Sequence, residues 1–236
     1  MLTKHTSLTI LCLAAASCSA AFATVGGGSA SHATATSKPT ATTNKSSNQP
    51  EESNSKTEGS FINGKYEIGK DVTKNGYHKG EPVVIVVDKG SHYTYVFQLQ
   101  NNDKVAEVYR ASNAVGKDDT PTPYGPYKVA DKVKWPSWIP PKSIDPKQKA
   151  VQPYNKTHKN PLGVARIGLN KFGINLHGTN DPHSLRHDVS HGCIRHSNKD
   201  IMKIFNMVKV GDTVIIAKNL VGTTLTKDEF TGKHKK

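Results

Sequence analysis

The strongest constraint on this chain is a series of short apolar runs, rich in β-branched residues and separated by turn residues. Val83-Val-Ile-Val-Val87 follows a proline and precedes Asp88-Lys-Gly-Ser91. Five consecutive Val and Ile side chains lose χ1 freedom in a helix and pack well on a pleated surface, so this run reads as a buried strand and the next four residues as a hairpin turn. Residues 93–99, 104–111, 127–130, 165–169, 173–177 and 213–217 repeat the pattern, with Asn101-Asn-Asp103 as a second turn. Many short strands at this spacing point to a mostly β sandwich or barrel. One segment breaks the pattern. Ile201, Ile204, Phe205 and Val208 fall at i, i+3, i+4 and i+7, a single apolar helical face. Ser197 is placed to cap its start with Asp200 three residues on, and Gly211 follows its last turn.

The rest of the chain is poor in core material. Of 236 residues, 35% are hydrophobic, below the ~45–50% of an ordinary globular chain. The deficit lies in front of the strands. Lys4 and His5 precede Leu8-Thr-Ile-Leu-Cys-Leu-Ala-Ala-Ala16, a charged region and a short apolar region as in a secretory signal, too short to span a bilayer stably. Two processing patterns compete: Ala15-Ala16-Ser17-Cys18, which would make Cys18 a candidate lipidation site and membrane anchor, and Ala21-Phe22-Ala23, the small-x-small rule. Residues 1–23 are therefore assigned to a signal. Residues 24–60 are rich in Gly, Ser, Thr, Ala and Asn, and cannot bury enough surface to offset chain entropy. Residues 24–81 are taken as a flexible tether, with Phe61, Ile62, Tyr66 and Ile68 leaving open an extra turn or strand. A folded domain over 82–218 and a basic tail over 219–236 complete the division.

The net charge is +13, and 24 of the 32 Lys and Arg residues lie from Pro82 onward. Only four are Arg, and the excess is scattered rather than striped with aromatics. That is poor composition for nucleic-acid recognition, which leans on Arg for bidentate contacts. The charge suits an anionic polymer outside the cell better. Trp135-Pro-Ser-Trp-Ile-Pro-Pro141 reads as a stiff loop that either lines a groove or packs as a lid, and residues 119–126 as a second rigid loop.

Five of the eleven histidines, His177, His183, His187, His191 and His196, crowd around Cys193, the only cysteine outside the first 18 residues. A thiol attacks as its thiolate, and a nearby imidazole can take the proton. His177 closes an expected strand, a rigid and accessible place for a base. His191 lies two residues before the cysteine. Gly192 permits close approach of substrate and backbone. The amides of Gly192 and Cys193 can face a developing oxyanion, and Arg195 can bind a carboxylate. A zinc site is the rival reading, since His183, His187 and His191 stand at i, i+4 spacing. Yet Asp181-Pro182 and Ser184 read as loop, and neither a second nearby cysteine nor a His-Glu-x-x-His pattern is present.

His177-Gly178, a loop of about a dozen residues and Ser190-His-Gly-Cys-Ile-Arg195 together resemble the signature of the L,D-transpeptidase (YkuD-like) catalytic domain. Ile85-Val-Val-Asp88, Thr120-Pro-Thr-Pro-Tyr-Gly-Pro-Tyr127, the Trp/Pro loop and Gly211-Asp-Thr-Val-Ile-Ile216 agree in the family's order. His196 departs from it, standing where the family usually has an apolar residue, and so does Arg186-His187. The resemblance implies a mostly β, sandwich-like fold, with one short helix after the cysteine motif and a lid loop over a groove. It implies Cys193 as nucleophile, His177 as general base and acid, and His191 in support. Gly192, Ser190, Arg195 and Gly178 would form the oxyanion and substrate-binding positions. No metal and no cofactor is implied. Peptidoglycan stem peptides are the implied substrates, in an extracytoplasmic, cell-wall or periplasmic setting, with anionic wall polymers as further partners. Nucleic acid is not an expected partner. The implied reaction transfers a stem tetrapeptide through a Cys thioester to an amine acceptor. Hydrolysis of the same bond by an L,D-carboxypeptidase, and non-catalytic binding of peptidoglycan, remain as alternatives.

Overall fold

A computed structural model describes residues 59–232. The signal, Cys12, the candidate lipid site Cys18 and the tether up to residue 58 lie outside the described residues, as do residues 233–236. The described residues form twelve strands: β1 (Lys65–Glu67), β2 (Val83–Asp88), β3 (Tyr93–Leu99), β4 (Val105–Ser112), β5 (Val115–Gly116), β6 (Gly125–Lys134), β7 (Ala165–Leu169), β8 (Asn175–His177), β9 (Asp188–Ser190), β10 (Ile194–Arg195), β11 (Thr213–Ala217) and β12 (Thr224–Thr226). Eight of them form one sheet in the order β10-β8-β7-β6-β11-β2-β3-β4. The long strand β6 belongs to both halves, pairing with β11 and with β7, and its register shifts between Val129 and Asp131. A bulge of this kind bends a strand and raises local twist, and the sheet curls back on itself there.

That curl makes the sandwich. Val83, Ile85 and Val87 of β2 share one apolar cluster with Ile167 of β7, Leu176 of β8, Ile194 of β10, and Ile201 and Ile204 of helix α1 (Asn198–Met207). The alternate β2 residues Val84 and Val86 join a second cluster on the opposite face, with Phe97, Tyr66, Ile68, Leu220, Leu225 and Phe230. Both faces of β2 are therefore dry. This is why its sequence is a continuous apolar run rather than an alternating one.

The second cluster overturns two boundaries drawn from the sequence. The tether does not extend to residue 81: β1 pairs antiparallel with β12, and Ile68 is fully buried. The segment from 219 to 232 is not a loose tail either. It supplies β12 and a second short helix, α2 (Lys227–Thr231), with a reciprocal capping box between Thr226 and Glu229. Few large side chains sit in these segments, but Tyr66, Ile68, Leu220, Leu225 and Phe230 all cover the outer face of the sheet, a use composition does not disclose.

Helix α1 starts as expected. The Ser197 hydroxyl accepts from the Asp200 amide at 3.0 Å. It ends at Val208 in an extended conformation, and Gly211, with φ of 95°, serves the turn into β11 rather than the helix cap. In the hairpin after β2, Asp88 Oδ1 accepts from the Ser91 amide at 3.0 Å.

Candidate active site

Strand alternation sorts the site from the core. On β8, Leu176 points inward with Ile167 and Ile194, all fully buried, so Asn175 and His177 face the other way. Strand β10 runs parallel to β8, with Ile194 opposite Leu176 and Arg195 opposite His177. Cys193, one residue earlier, falls opposite Asn175. On the other side of β8, Arg166 lies opposite His177 and Gly168 opposite Asn175. One face of the sheet thus carries two rows: Arg166, His177, Arg195, and Gly168, Asn175, Cys193.

His177 is almost completely buried, and its Nδ1 lies 2.5 Å from the carbonyl oxygen of Gly178. A carbonyl only accepts, so Nδ1 carries the proton and Nε2 keeps its lone pair. Burial pushes the imidazole down to about 4. The Gly178 carbonyl opposes this, the guanidiniums of Arg195 and Arg166 add to it, and the Pro161 carbonyl opposes it. His177 is therefore a neutral imidazole at physiological pH, held in one tautomer.

Cys193 is half-buried and is a free thiol. It donates to the Gly173 carbonyl at 3.1 Å and accepts from Asn175 Nδ2 at 3.6 Å. Among the described residues no hydrogen bond joins it to His177. The two are diagonal neighbours on the same face.

The turn holding the cysteine is closed by hydroxyl groups. Gly192 has φ of 102°, a conformation L side chains rarely adopt. Ser190 Oγ accepts from the Gly192 amide at 3.1 Å and donates to the Cys193 carbonyl at 2.6 Å. Thr122 Oγ1 donates to the Gly192 carbonyl at 2.9 Å and accepts from the Gly116 amide at 2.8 Å. Thr120 Oγ1 donates to the Ser190 carbonyl at 3.2 Å. The rigid 119–126 loop is thus the buckle of the cysteine turn.

These contacts change several expected assignments. The Gly192 amide is taken up by Ser190, so of the two amides expected to face an oxyanion only that of Cys193 is left. Ser190 is buried and ties the turn instead of lining a substrate surface. Gly178 acts through its carbonyl on His177, and a side chain there would collide with Asn198 Oδ1. His191 is exposed and makes no hydrogen bond to Cys193 or His177 among the described residues. Arg195 is half-buried, tied to Ala114 by both backbone hydrogen bonds, with its guanidinium felt at His177. His183 and His187 are exposed. Among the described residues, no group of three His, Cys, Asp or Glu side chains is arranged to hold a metal.

Three contributors carried no role in the sequence. Asn198 Oδ1 accepts from the amides of Val164 and Thr179 at 3.1 and 3.2 Å, locking the start of α1 to the end of β8. Asn175 was visible only as the residue two before His177, a spacing that in a strand means a shared face. Arg166 reaches Asn175 Oδ1 at 2.9 Å.

His196, by contrast, is fully buried beneath the site, with Nε2 2.9 Å from Thr94 Oγ1 and Nδ1 without a hydrogen-bond partner among the described residues. Burial first, and His177 second, push it down to about 3, against smaller opposing effects of Asp200 and the His177 and Ile194 backbone.

The model of the YkuD family, the L,D-transpeptidase catalytic domain, matches residues 82–216. Over 142 residues the chain is 32% identical to YqjB of Bacillus subtilis, itself described as a candidate L,D-transpeptidase, covering 58% of this chain and 72% of that one. It is 30% identical over 118 residues to the similarly described YkuD of Bacillus subtilis, covering 50% of this chain and 57% of that one. A solved L,D-transpeptidase of Mycobacterium smegmatis aligns with 24% identity and a TM-score of 0.43, over 58% of this chain and 59% of that one.

Proposed function

This chain belongs to the L,D-transpeptidase catalytic domain family, and from that premise we propose that it is a peptidoglycan L,D-transpeptidase working through a Cys193 thioester. The observation that carries the reading is the single sheet face shared by a half-buried thiol, a neutral imidazole in a fixed tautomer and an arginine.

In the first half-reaction Cys193 Sγ attacks the carbonyl carbon that joins the third, diamino residue of a stem peptide to the D-residue after it. His177 Nε2 takes the thiol proton and hands it to the departing amine, so the D-amino acid leaves and a thioester remains. In the second, the side-chain amine of another stem attacks the thioester. His177 takes the amine proton, Cys193 leaves as thiolate and regains a proton, and the product is a crosslink between third residues. The diagonal placement of His177 and Cys193 suits a base that engages once substrate displaces the thiol from the Gly173 carbonyl. The Cys193 amide is the available oxyanion donor, and Arg195 offers a guanidinium for a substrate carboxylate.

The net charge of +13 suits work against an anionic wall outside the cytoplasm. Among the described residues no helix is long and apolar enough to cross a membrane. We assign membrane attachment to the signal and Cys18, outside the described residues.

Incubation of the protein with a tetrapeptide stem, followed by intact mass measurement, tests the reading. The expected result is an adduct of tripeptide mass on Cys193, lost in Cys193→Ala and chased to a crosslinked dimer by an amine acceptor. No adduct in the wild type, or an adduct that survives Cys193→Ala, overturns it. Free tripeptide as the sole product in the presence of acceptor overturns the transferase assignment.

A further inference from the structure

The row Gly168, Asn175, Cys193 continues one strand further. Asp131 of β6 lies opposite Gly168. Its carboxylate holds Arg166 at both ends of the guanidinium, Oδ1 to one terminal nitrogen at 3.0 Å and Oδ2 to the other at 2.5 Å. The same Arg166 nitrogen that meets Oδ1 also donates to Asn175 Oδ1 at 2.9 Å, and Asn175 Nδ2 donates to Cys193 Sγ.

We propose that Asp131, Arg166 and Asn175 form a relay that locks the Asn175 amide with its NH2 group on the Cys193 sulfur, and that position 168 is a glycine because Arg166 crosses over it. The proposal rests on the reading of Cys193 as the nucleophile and deepens it.

The argument is one of donors and acceptors. An asparagine side chain can present either its oxygen or its NH2 to a neighbour, and the two arrangements have nearly the same shape. Arginine has donors only. With Arg166 on one side, the Asn175 oxygen must face it, because the flipped amide would set donor against donor. The NH2 group then faces the sulfur, and it also donates to the Gly173 carbonyl at 3.4 Å, an acceptor that favours the same orientation. Arg166 is itself fixed by the planar match of guanidinium to carboxylate. Asp131 also offsets its charge.

Space confirms the path. A Cβ built on Gly168 would sit 2.6 Å from the Arg166 terminal nitrogen and closer still to Asp131 Oδ1. Those are side-chain ends, which can move, so a methyl group at 168 would displace the relay without contesting the backbone.

The consequence is a preset donor for the charged sulfur, in place before substrate arrives and regained after each turnover. The sulfur touches Asn175 and the Gly173 carbonyl, and the titratable and charged groups on the same sheet face are His177 from β8, Arg166 and its partner Asp131 from β7 and β6, and Arg195 from β10. Of these only Asn175 donates to it.

The test is the rate of alkylation of Cys193 by iodoacetamide in the full chain, from about pH 5 to about pH 9, read on the tryptic peptide spanning 187–195 so that Cys12 and Cys18 do not interfere. Asn175→Leu is expected to slow alkylation at neutral pH by about tenfold, the scale of a lost hydrogen bond to a charged group, and to move the whole profile to higher pH. Gly168→Ala is expected to move it the same way by less, and to add nothing in the double variant, since coupled residues are non-additive. Asn175→Ser, too short to bridge Arg166 and the sulfur, gives the same readout should the leucine variant fail to fold. A folded Asn175 variant with the wild-type profile overturns the relay, and so does a Gly168→Ala effect that adds in full to that of Asn175→Leu. Alkylation needs no stem peptide. An unchanged profile therefore counts against the relay alone, and a missing thioester adduct counts against acyl transfer alone.

Discussion

His177 Nδ1 and the carbonyl oxygen of Gly178 stand 2.5 Å apart, and this contact decides which ring nitrogen is available for proton transfer. The carbonyl belongs to the very next residue, so the tautomer is set by local backbone geometry. Burial then keeps the ring neutral down to about 4.

The first expected outcome concerns activity against pH. With His177 as base, the acid limb of kcat/KM for thioester formation falls as pH drops through about 4, well below the ordinary histidine value of about 6.5. Above that limb Nε2 holds its lone pair. His177→Ala slows adduct formation by about 10²–10⁴-fold, the usual scale for a lost acid–base group. An acid limb near the ordinary histidine value would contradict the neutral, buried ring.

Stability should respond to the same chemistry. His177 and His196 are neutral when folded down to about 4 and about 3, but take protons near 6.5 when unfolded. In that window the unfolded chain binds more protons, so stability rises with pH and levels off above about 6.5. Urea midpoints at several pH values measure this slope. His196→Leu makes the slope shallower, whatever it does to absolute stability.

Ser190→Ala removes both halves of the clamp on the cysteine turn, leaving the Gly192 amide and the Cys193 carbonyl without it. The expected cost is about 1–3 kcal/mol for the buried Gly192 amide and less for the partly buried Cys193 carbonyl, seen as a lower thermal midpoint. Thioester formation slows, while Cys193 stays alkylatable. A melt and a rate equal to wild type would show the turn to be held by Thr120 and Thr122 alone.

Asn198 offers a cleaner comparison, because one oxygen serves two amides. Asn198→Ala strands both and destabilises by about 1–3 kcal/mol per amide. Asn198→Asp keeps an acceptor at the same place and recovers most of the loss. Equal destabilisation by the two substitutions would show that the side chain acts by packing.

The N-terminal cover of the sheet is testable by truncating one side chain. Ile68 is fully buried against the outer face, so Ile68→Ala costs about 2–5 kcal/mol in chemical denaturation. A change near zero would return residues 59–81 to the tether.

Local patterns were legible where the physics is local. The strands at residues 83–88, 93–99, 165–169 and 213–217, and the cap of α1, follow from rotamer restriction, pleat alternation and orphan amides near the residues themselves. Cys193, His177 and Arg195 could be singled out because their chemistry is carried by residue type, and they do share one face. The hydrogen bonds of Ser190 and Gly192 were not legible, because their partners are reached through a turn whose hydrogen bonds are not periodic.

By itself, the amino-acid sequence determined the mostly β class, the helix, the family and the thiol with its histidines, since each is written in short-range spacing or in a motif. Tertiary structure alone decided the environment of those groups. Parallel pairing of β8 with β10 sets Asn175 beside Cys193 across 18 positions of chain. Burial among distant segments holds His177 neutral, helped by two guanidiniums from separate strands. Segments from opposite ends of the domain meet as β1 and β12 to close the outer face. Burial, charge proximity and donor orientation depend on what distant segments bring within a few ångströms, and no local pattern encodes that distance.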